Sequence, residues 1–269
     1  MKEKHCMFKN FRNHTNTFGT NLDCKEPVMN LFKTNKMKIS VFSIFAAFAI
    51  ITLTGSCNLN NNNSTNAPGS TFLVANLCPD APQTGFDVYV NGIIAKSNLF
   101  YTNSTYYATT APGNYRIQLD AGGTSSGILD STFALVANSA YSIYAIDSLS
   151  KLQMTLVSDN LTPPTTDSVK IRFLDFSPND TSTVALSSGT VLFQSRTFND
   201  QATNPVYTVF QTIPAGSYTF QLKVPNSATV KLALPAMTLI GGHIYTFDIQ
   251  GFAGGTGAQA YNLGSIQNL

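Results

Sequence analysis

The chain has 269 residues, a formal charge of +2 and only 11% charged residues, well under the roughly 25% of an ordinary soluble domain. The charge is unevenly placed: eight Lys and Arg stand against three acids up to Cys57, and eight against eleven Asp, with no Glu, beyond it, a net −3. A mildly acidic body without a basic stripe excludes a nucleic-acid binder, and abundant Ser, Thr, Asn, Gly, Val, Tyr and Phe point to strands rather than helices.

Residues 1–36 are polar and aperiodic, and read either as an over-extended frame upstream of a start at Met37 or as a cytoplasmic arm. Residues 37–56 have the order of a secretory signal: Met37-Lys38, an apolar run from Ile39 to Leu53, then Gly55-Ser56 before Cys57. That run of fifteen residues is short for a bilayer span of about 20. Leu53-Thr54-Gly55-Ser56-Cys57 resembles the lipobox of bacterial lipoproteins, in a relaxed form similar to those of Bacteroidetes. The resemblance implies that Cys57 carries a diacyl group and begins the mature chain. Residues 57–69 are an Asn-rich tether that cannot bury a core.

A first domain is expected over 70–161. Phe72, Val74 and Leu77 mark a strand ended by Cys78-Pro79-Asp80-Ala81-Pro82, where two prolines fix a loop. Phe86-Asp87-Val88-Tyr89-Val90 alternates into Asn91-Gly92, a strong hairpin signal. Pro112-Gly113 releases a strand with Tyr115, Ile117 and Leu119 on one face and Arg116 and Gln118 on the other. Phe133 to Val136, Asn138-Ser139 and Tyr141 to Ile146 read as a further hairpin, and Leu152, Met154 and Leu156 close the unit.

Residues 162–167 form a Pro-rich linker, after which the pattern recurs over 168–269. Val169, Ile171 and Phe173 lead to Phe176-Ser177-Pro178; Pro214-Ala215-Gly216-Ser217-Tyr218 answers the turn before Tyr115; and Tyr245, Phe247 and Ile249 answer Tyr141, Ile143 and Ala145. Three landmarks in one order, at strand spacing, predict an all-β protein of two tandem immunoglobulin-like antiparallel β-sandwiches.

Val74-Ala75-Asn76-Leu77-Cys78-Pro79-Asp80-Ala81-Pro82, then Asp87-Val88-Tyr89-Val90-Asn91-Gly92 and the Pro-Gly-x-Tyr strand, resemble the bacterial envelope family known as domain of unknown function 4397 (DUF4397). Cys78 replaces its usual Ser, and the second repeat follows the pattern more loosely. The resemblance implies a secreted or lipid-anchored sandwich, often in tandem, with no catalytic residue to carry over.

Little in the body points to catalysis or metal binding. His243 is its one histidine, beside a turn glycine, and Cys78 its one cysteine, expected to be packed rather than reactive. Asp80 is expected to bond backbone amides of its own Pro-flanked turn; a calcium role for Asp80 with Asp87 lacks the dense acidic loop of hard-cation sites. Tyr115 and Tyr218, each just past a Gly turn, suit a tyrosine-corner bond to upstream backbone. Tyr89, Tyr106, Tyr107 and Tyr144 are expected in core or cross-strand pairs, with an exposed sugar-stacking surface as the alternative.

The expectation is therefore a non-enzymatic, lipid-anchored envelope protein displaying two sandwiches for binding or adhesion, with no cofactor and no metal. Its expected address is the outer membrane, periplasmic or surface face left open, and its expected partners are the membrane and an envelope protein or glycan. A periplasmic assembly component is the second reading, and a glycan-active enzyme using Asp80 or Asp87 the third.

Overall fold

A computed structural model of the chain describes residues 68–269. Residues 1–36, the signal at 37–56, Cys57 and most of the tether therefore lie outside the described residues. The first repeat contains β1 (Ser70–Asn76), β2 (Phe86–Val90), β3 (Ile93–Leu99), β4 (Ala108–Thr110), β5 (Gly113–Ala121), β6 (Gly127–Leu135), β7 (Ala140–Ile146) and β8 (Gln153–Asp159). The second contains β9 (Ser168–Asp175), β10 (Thr181–Leu186), β11 (Val191–Thr197), β12 (Gln211–Pro214), β13 (Gly216–Tyr218), β14 (Phe220–Lys223), β15 (Val230–Ala233), β16 (Met237–Leu239), β17 (Ile244–Gln250) and β18 (Asn262–Gln267).

Each repeat is a sandwich of two four-stranded sheets. The front sheets run β3-β2-β5-β6 and β11-β10-β14-β15; the back sheets run β4-β1-β7-β8 and β12-β9-β17-β18. A separate pair, β13 with β16, continues the second sandwich where β5 and β6 of the first are unbroken. Pro235, which has no N–H to give a ladder, falls between β15 and β16 and accounts for the break on that side. The pairing is antiparallel except where β1 meets β7 and β9 meets β17, which run parallel. Parallel neighbours need a long connection, and five strands lie between the members of the first pair.

Alternation builds one core between the sheets of each sandwich. In the first, Phe72, Val74, Tyr141 and Ile143 of the back sheet meet Phe86, Val88, Ile117 and Leu119 of the front. In the second, rings dominate: Phe173 lies 4.7 Å from Phe193, 4.9 Å from Phe247 and 5.5 Å from Phe220, centroid to centroid. Asn91 and Gly92 take φ of 50° and 80° and close the β2–β3 hairpin as their residue types require. Gly113 and Gly216 share φ of 156°, a conformation that L residues rarely adopt, so both repeats enter their central strand the same way.

The step from β6 to β7 is not the expected hairpin. β6 belongs to the front sheet and β7 to the back, and the Asn138 turn between them bonds instead to the start of β1: Asn138 N donates to Gly69 O at 2.7 Å and Thr71 N to Ser139 O at 2.9 Å. The local turn signal was present, since Asn138 has φ of 56°, but a turn says nothing about which sheet receives the next strand.

The two sandwiches are joined through their back sheets. Leu73, Ala75, Leu77, Tyr144, Ile146 and Val157 of the first repeat and Leu174 and Phe176 of the second form a third buried cluster. This is why β1, β7, β9 and β17 are buried along nearly their whole length: one face of each serves its own sandwich and the other faces the neighbouring repeat.

Candidate functional site

The residues singled out by sequence have architectural positions. Tyr115 OH donates to Ala111 O at 2.8 Å, and Tyr218 OH donates to Pro214 O at 2.7 Å. Both bonds reach four residues back and pin the turn ahead of the central strand. Pro79 and Pro82 bracket a loop closed by Ala81 N donating to Cys78 O and Gly85 N donating to Pro82 O.

Asp80 does not cap the amides of its own turn, as expected. Its Oδ1 accepts from Leu149 N at 2.6 Å, tying the loop to a helical turn at Leu149–Lys151, because the paired prolines leave few amides nearby and aim the carboxylate across the sandwich edge. Asp87 accepts from Asn98 N through Oδ1 and from Gly123 N through Oδ2, both at 2.9 Å. Thus both oxygens of Asp87 and one of Asp80 hold backbone. Cys78 is fully buried, and its thiol donates to Asp80 Oδ1 at 3.4 Å; burial, reinforced by that carboxylate, pushes its pKa far above the ordinary thiol range. His243 Nδ1 lies 2.9 Å from Leu269 O beside the chain end. Among the described residues no three His, Cys, Asp or Glu side chains converge as a metal site would require.

The four tyrosines do not share a surface. Tyr144 is fully buried in the third cluster, 4.7 Å from Phe176, whereas Tyr106 is 96% exposed. Tyr107 lies between them, in a buried polar array across the junction. Its OH donates to Asp159 Oδ2 at 2.7 Å and accepts from Asn268 Nδ2 at 2.8 Å. Burial and the Asp159 carboxylate raise the Tyr107 phenol well beyond its usual pKa, which keeps the donor proton in place. Arg172 completes the array: Nε donates to Thr246 Oγ1 at 2.9 Å and Nη2 to Asp159 Oδ1 at 2.5 Å, while the guanidinium lies 4.3 Å from the centre of the Phe210 ring.

Tyr107 and Asn268 also belong to the wall of a cleft of about 690 Å³ at the junction. One side is the segment from Phe100 to Tyr107, held along the edge of β1 by Thr102 N donating to Asn76 O and Thr105 N to Val74 O, each at 2.8 Å. The other is the end of β18, from Ser265 to Asn268, and Leu73 and Ile266 are among its apolar lining. Phe100, 47% exposed, and Tyr106 stand at the opening with Asn103, Ser104 and Ser265, for whose side chains the structure shows no hydrogen bond. The lining holds one cation, Lys96, and no carboxylate.

Sequence reasoning named Tyr106 and Tyr107 but neither the cleft nor the Arg172 array. One signal was available: Tyr141 to Ile146 is nearly continuous in large apolar residues, which marks a strand covered on both faces. Nothing local shows that the covering layer is the other repeat.

Residues 70–186 match the model of a family described as domain of unknown function (DUF4397), from the first residue of β1 to the last of β10. No curated protein matches the chain. Among solved structures, the Bacillus anthracis TIE protein aligns at 12% identity over 68% of this chain and 34% of that one, with a TM-score of 0.20. The chain thus spans about a third of the length of that protein. CBMbc (family CBM26) from Eubacterium rectale Amy13K, in complex with maltoheptaose, aligns at 9% identity over 72% of this chain and 95% of that one, with a TM-score of 0.23. Likenesses this distant say nothing of what the chain binds.

Proposed function

We propose that this chain, whose residues 70–186 are a DUF4397 domain, is a non-enzymatic binding protein of the bacterial cell envelope, with the second sandwich a looser copy of the first. It is held to the outer membrane by lipid on Cys57, extended by the Asn-rich tether, and presents the cleft between its repeats to a ligand. The cleft carries this reading: it is built from both sandwiches, has the volume of a small-molecule or oligomer site, and keeps polar side chains and an exposed aromatic at its mouth. Hydrolysis using Asp80 or Asp87 has less support, because their oxygens hold backbone amides.

A second reading, docking of another envelope protein, draws on β18, which is an edge strand and lines the same cleft. The test has two parts. Cys57→Ala should release the chain from the membrane fraction, and protease treatment of intact cells then places the anchored sandwiches outside or inside. Purified residues 68–269, which fall within one compact unit, should be retained by isolated envelopes, and Tyr106→Ala should lower that retention. Equal retention of the two proteins would remove the cleft from the function.

A further inference from the structure

Building on the binding reading above, we infer that the cleft between the repeats takes a neutral oligosaccharide. With no carboxylate the lining offers a cationic ligand no counter-charge, and its one cation, Lys96, is exposed on β3, where water screens a charge too small to select an anion. What the lining does offer is amides and hydroxyls, groups that both donate and accept, set beside exposed rings. Asn103 presents a carbonyl and an NH2, Ser104 and Ser265 present hydroxyls, and Tyr106 combines an open apolar ring with a phenol. A sugar ring has matching chemistry: vicinal hydroxyls that both donate and accept, and a face of C–H bonds that packs on an aromatic.

The Phe100 to Tyr107 wall disfavours a peptide. A peptide joining by strand addition needs main-chain partners, and on the Phe100 to Tyr107 side Thr102 N, Asn103 O and Thr105 N already bond to β1. Those three groups are closed to a peptide strand, whereas Asn103, Ser104 and Tyr106 offer their side chains there. Tyr106 and Asn103 are also exposed and outside every buried cluster, so their exposure serves no packing purpose.

The test is titration of isotope-labelled residues 68–269 with cellotetraose, maltotetraose and chitotetraose, followed by NMR. One of the three should shift the backbone amides of Asn103, Tyr106 and Ser265 and saturate below about 10 mM. Tyr106→Ala should weaken that affinity by about tenfold or more. Ile128→Ala, on β6 at the opposite edge of the front sheet from β3, should leave it unchanged. Absence of shifts with all three sugars overturns the oligosaccharide assignment. If Tyr106→Ala nonetheless lowers retention by envelopes, the cleft remains the binding site and its ligand is of another class. Shifts confined to Leu263 through Gln267 on adding solubilised envelope protein would identify strand addition to β18 and likewise overturn the assignment.

Discussion

Arg172 of the second repeat and Asp159 of the first form an ion pair at 2.5 Å with both side chains wholly removed from solvent. Asp159 is also bonded by Ser142 Oγ at 2.8 Å and by Tyr107 OH, so its charge is met from three directions. In the first repeat Leu73 occupies the place of Arg172, since Phe72 pairs with Tyr141 as Ile171 pairs with Tyr245. Removing one partner leaves a buried, uncompensated charge. Arg172→Leu alone should therefore cost about 3–5 kcal/mol in urea denaturation of residues 68–269, and adding Asp159→Leu should recover much of that loss. Additive losses in the double variant would mean that the two residues act independently.

The paired tyrosines predict a smaller and separable effect. Tyr115→Phe and Tyr218→Phe each lose a bond to a turn carbonyl, Tyr115→Phe also losing the contact with Thr110 Oγ1, and Tyr218→Phe should cost about 1 kcal/mol and Tyr115→Phe at least as much. The sites lie in different sandwiches with separate cores, so the double variant should show the sum within about 0.5 kcal/mol.

Two buried carboxyls set a pH dependence. Burial, with Asp180 nearby, pushes Asp175 up to about 8, and burial pushes Asp248 up to about 7. Both folded values exceed the ordinary carboxyl value of about 3.9, so the folded chain binds more protons than the unfolded chain over this interval. Their contribution is fully present below about pH 4 and is lost as pH rises through 7 and 8. Urea midpoints should fall between about pH 5 and pH 9.

Asp175 also has a natural control. Its Oδ1 accepts from Ser177 N at 3.0 Å as Asn76 Oδ1 accepts from Cys78 N at 3.1 Å, but Asn76 Nδ2 further donates to Leu99 O at 2.9 Å while Asp175 Oδ2 has no partner. Asp175→Asn should flatten the pH dependence and stabilise the chain at about pH 9 by roughly 1–3 kcal/mol. An unchanged profile would show that Asp175 does not titrate there.

Cys78 should resist chemistry while the chain is folded. The thiol is enclosed and held protonated by burial and by Asp80. Labelling with a thiol-reactive disulfide reagent should be negligible for native residues 68–269 and complete in denaturant. Rapid labelling of the native state would show that the Pro79–Pro82 loop opens.

Much of each sandwich was legible in the residues themselves. The alternation of Tyr115, Ile117 and Leu119, the Asn91-Gly92 turn and the paired Pro-x-Gly or Pro-Gly turns act over a few positions, and they set strand, face and turn where they stand. The Asp80 contact was harder to foresee because its donor, Leu149, lies 69 positions away and belongs to another element. The same holds for β6 and β7, whose connecting turn is local but whose separation between sheets is not.

By itself the sequence determined the all-β class and the landmark strands that the two repeats share, because a period of two in side-chain direction is a property of the extended backbone. Only the tertiary structure decided that the back sheets meet. Tyr107 and Asn268, 161 positions apart, lie just outside β4 and β18, and nothing in either stretch shows that the two side chains meet. The pairing of two whole sheets gives those side chains partners, buries Arg172 with Asp159 and leaves the cleft beside them. A contact between surfaces depends on the summed shape and burial of many residues, and no single stretch of sequence contains that sum.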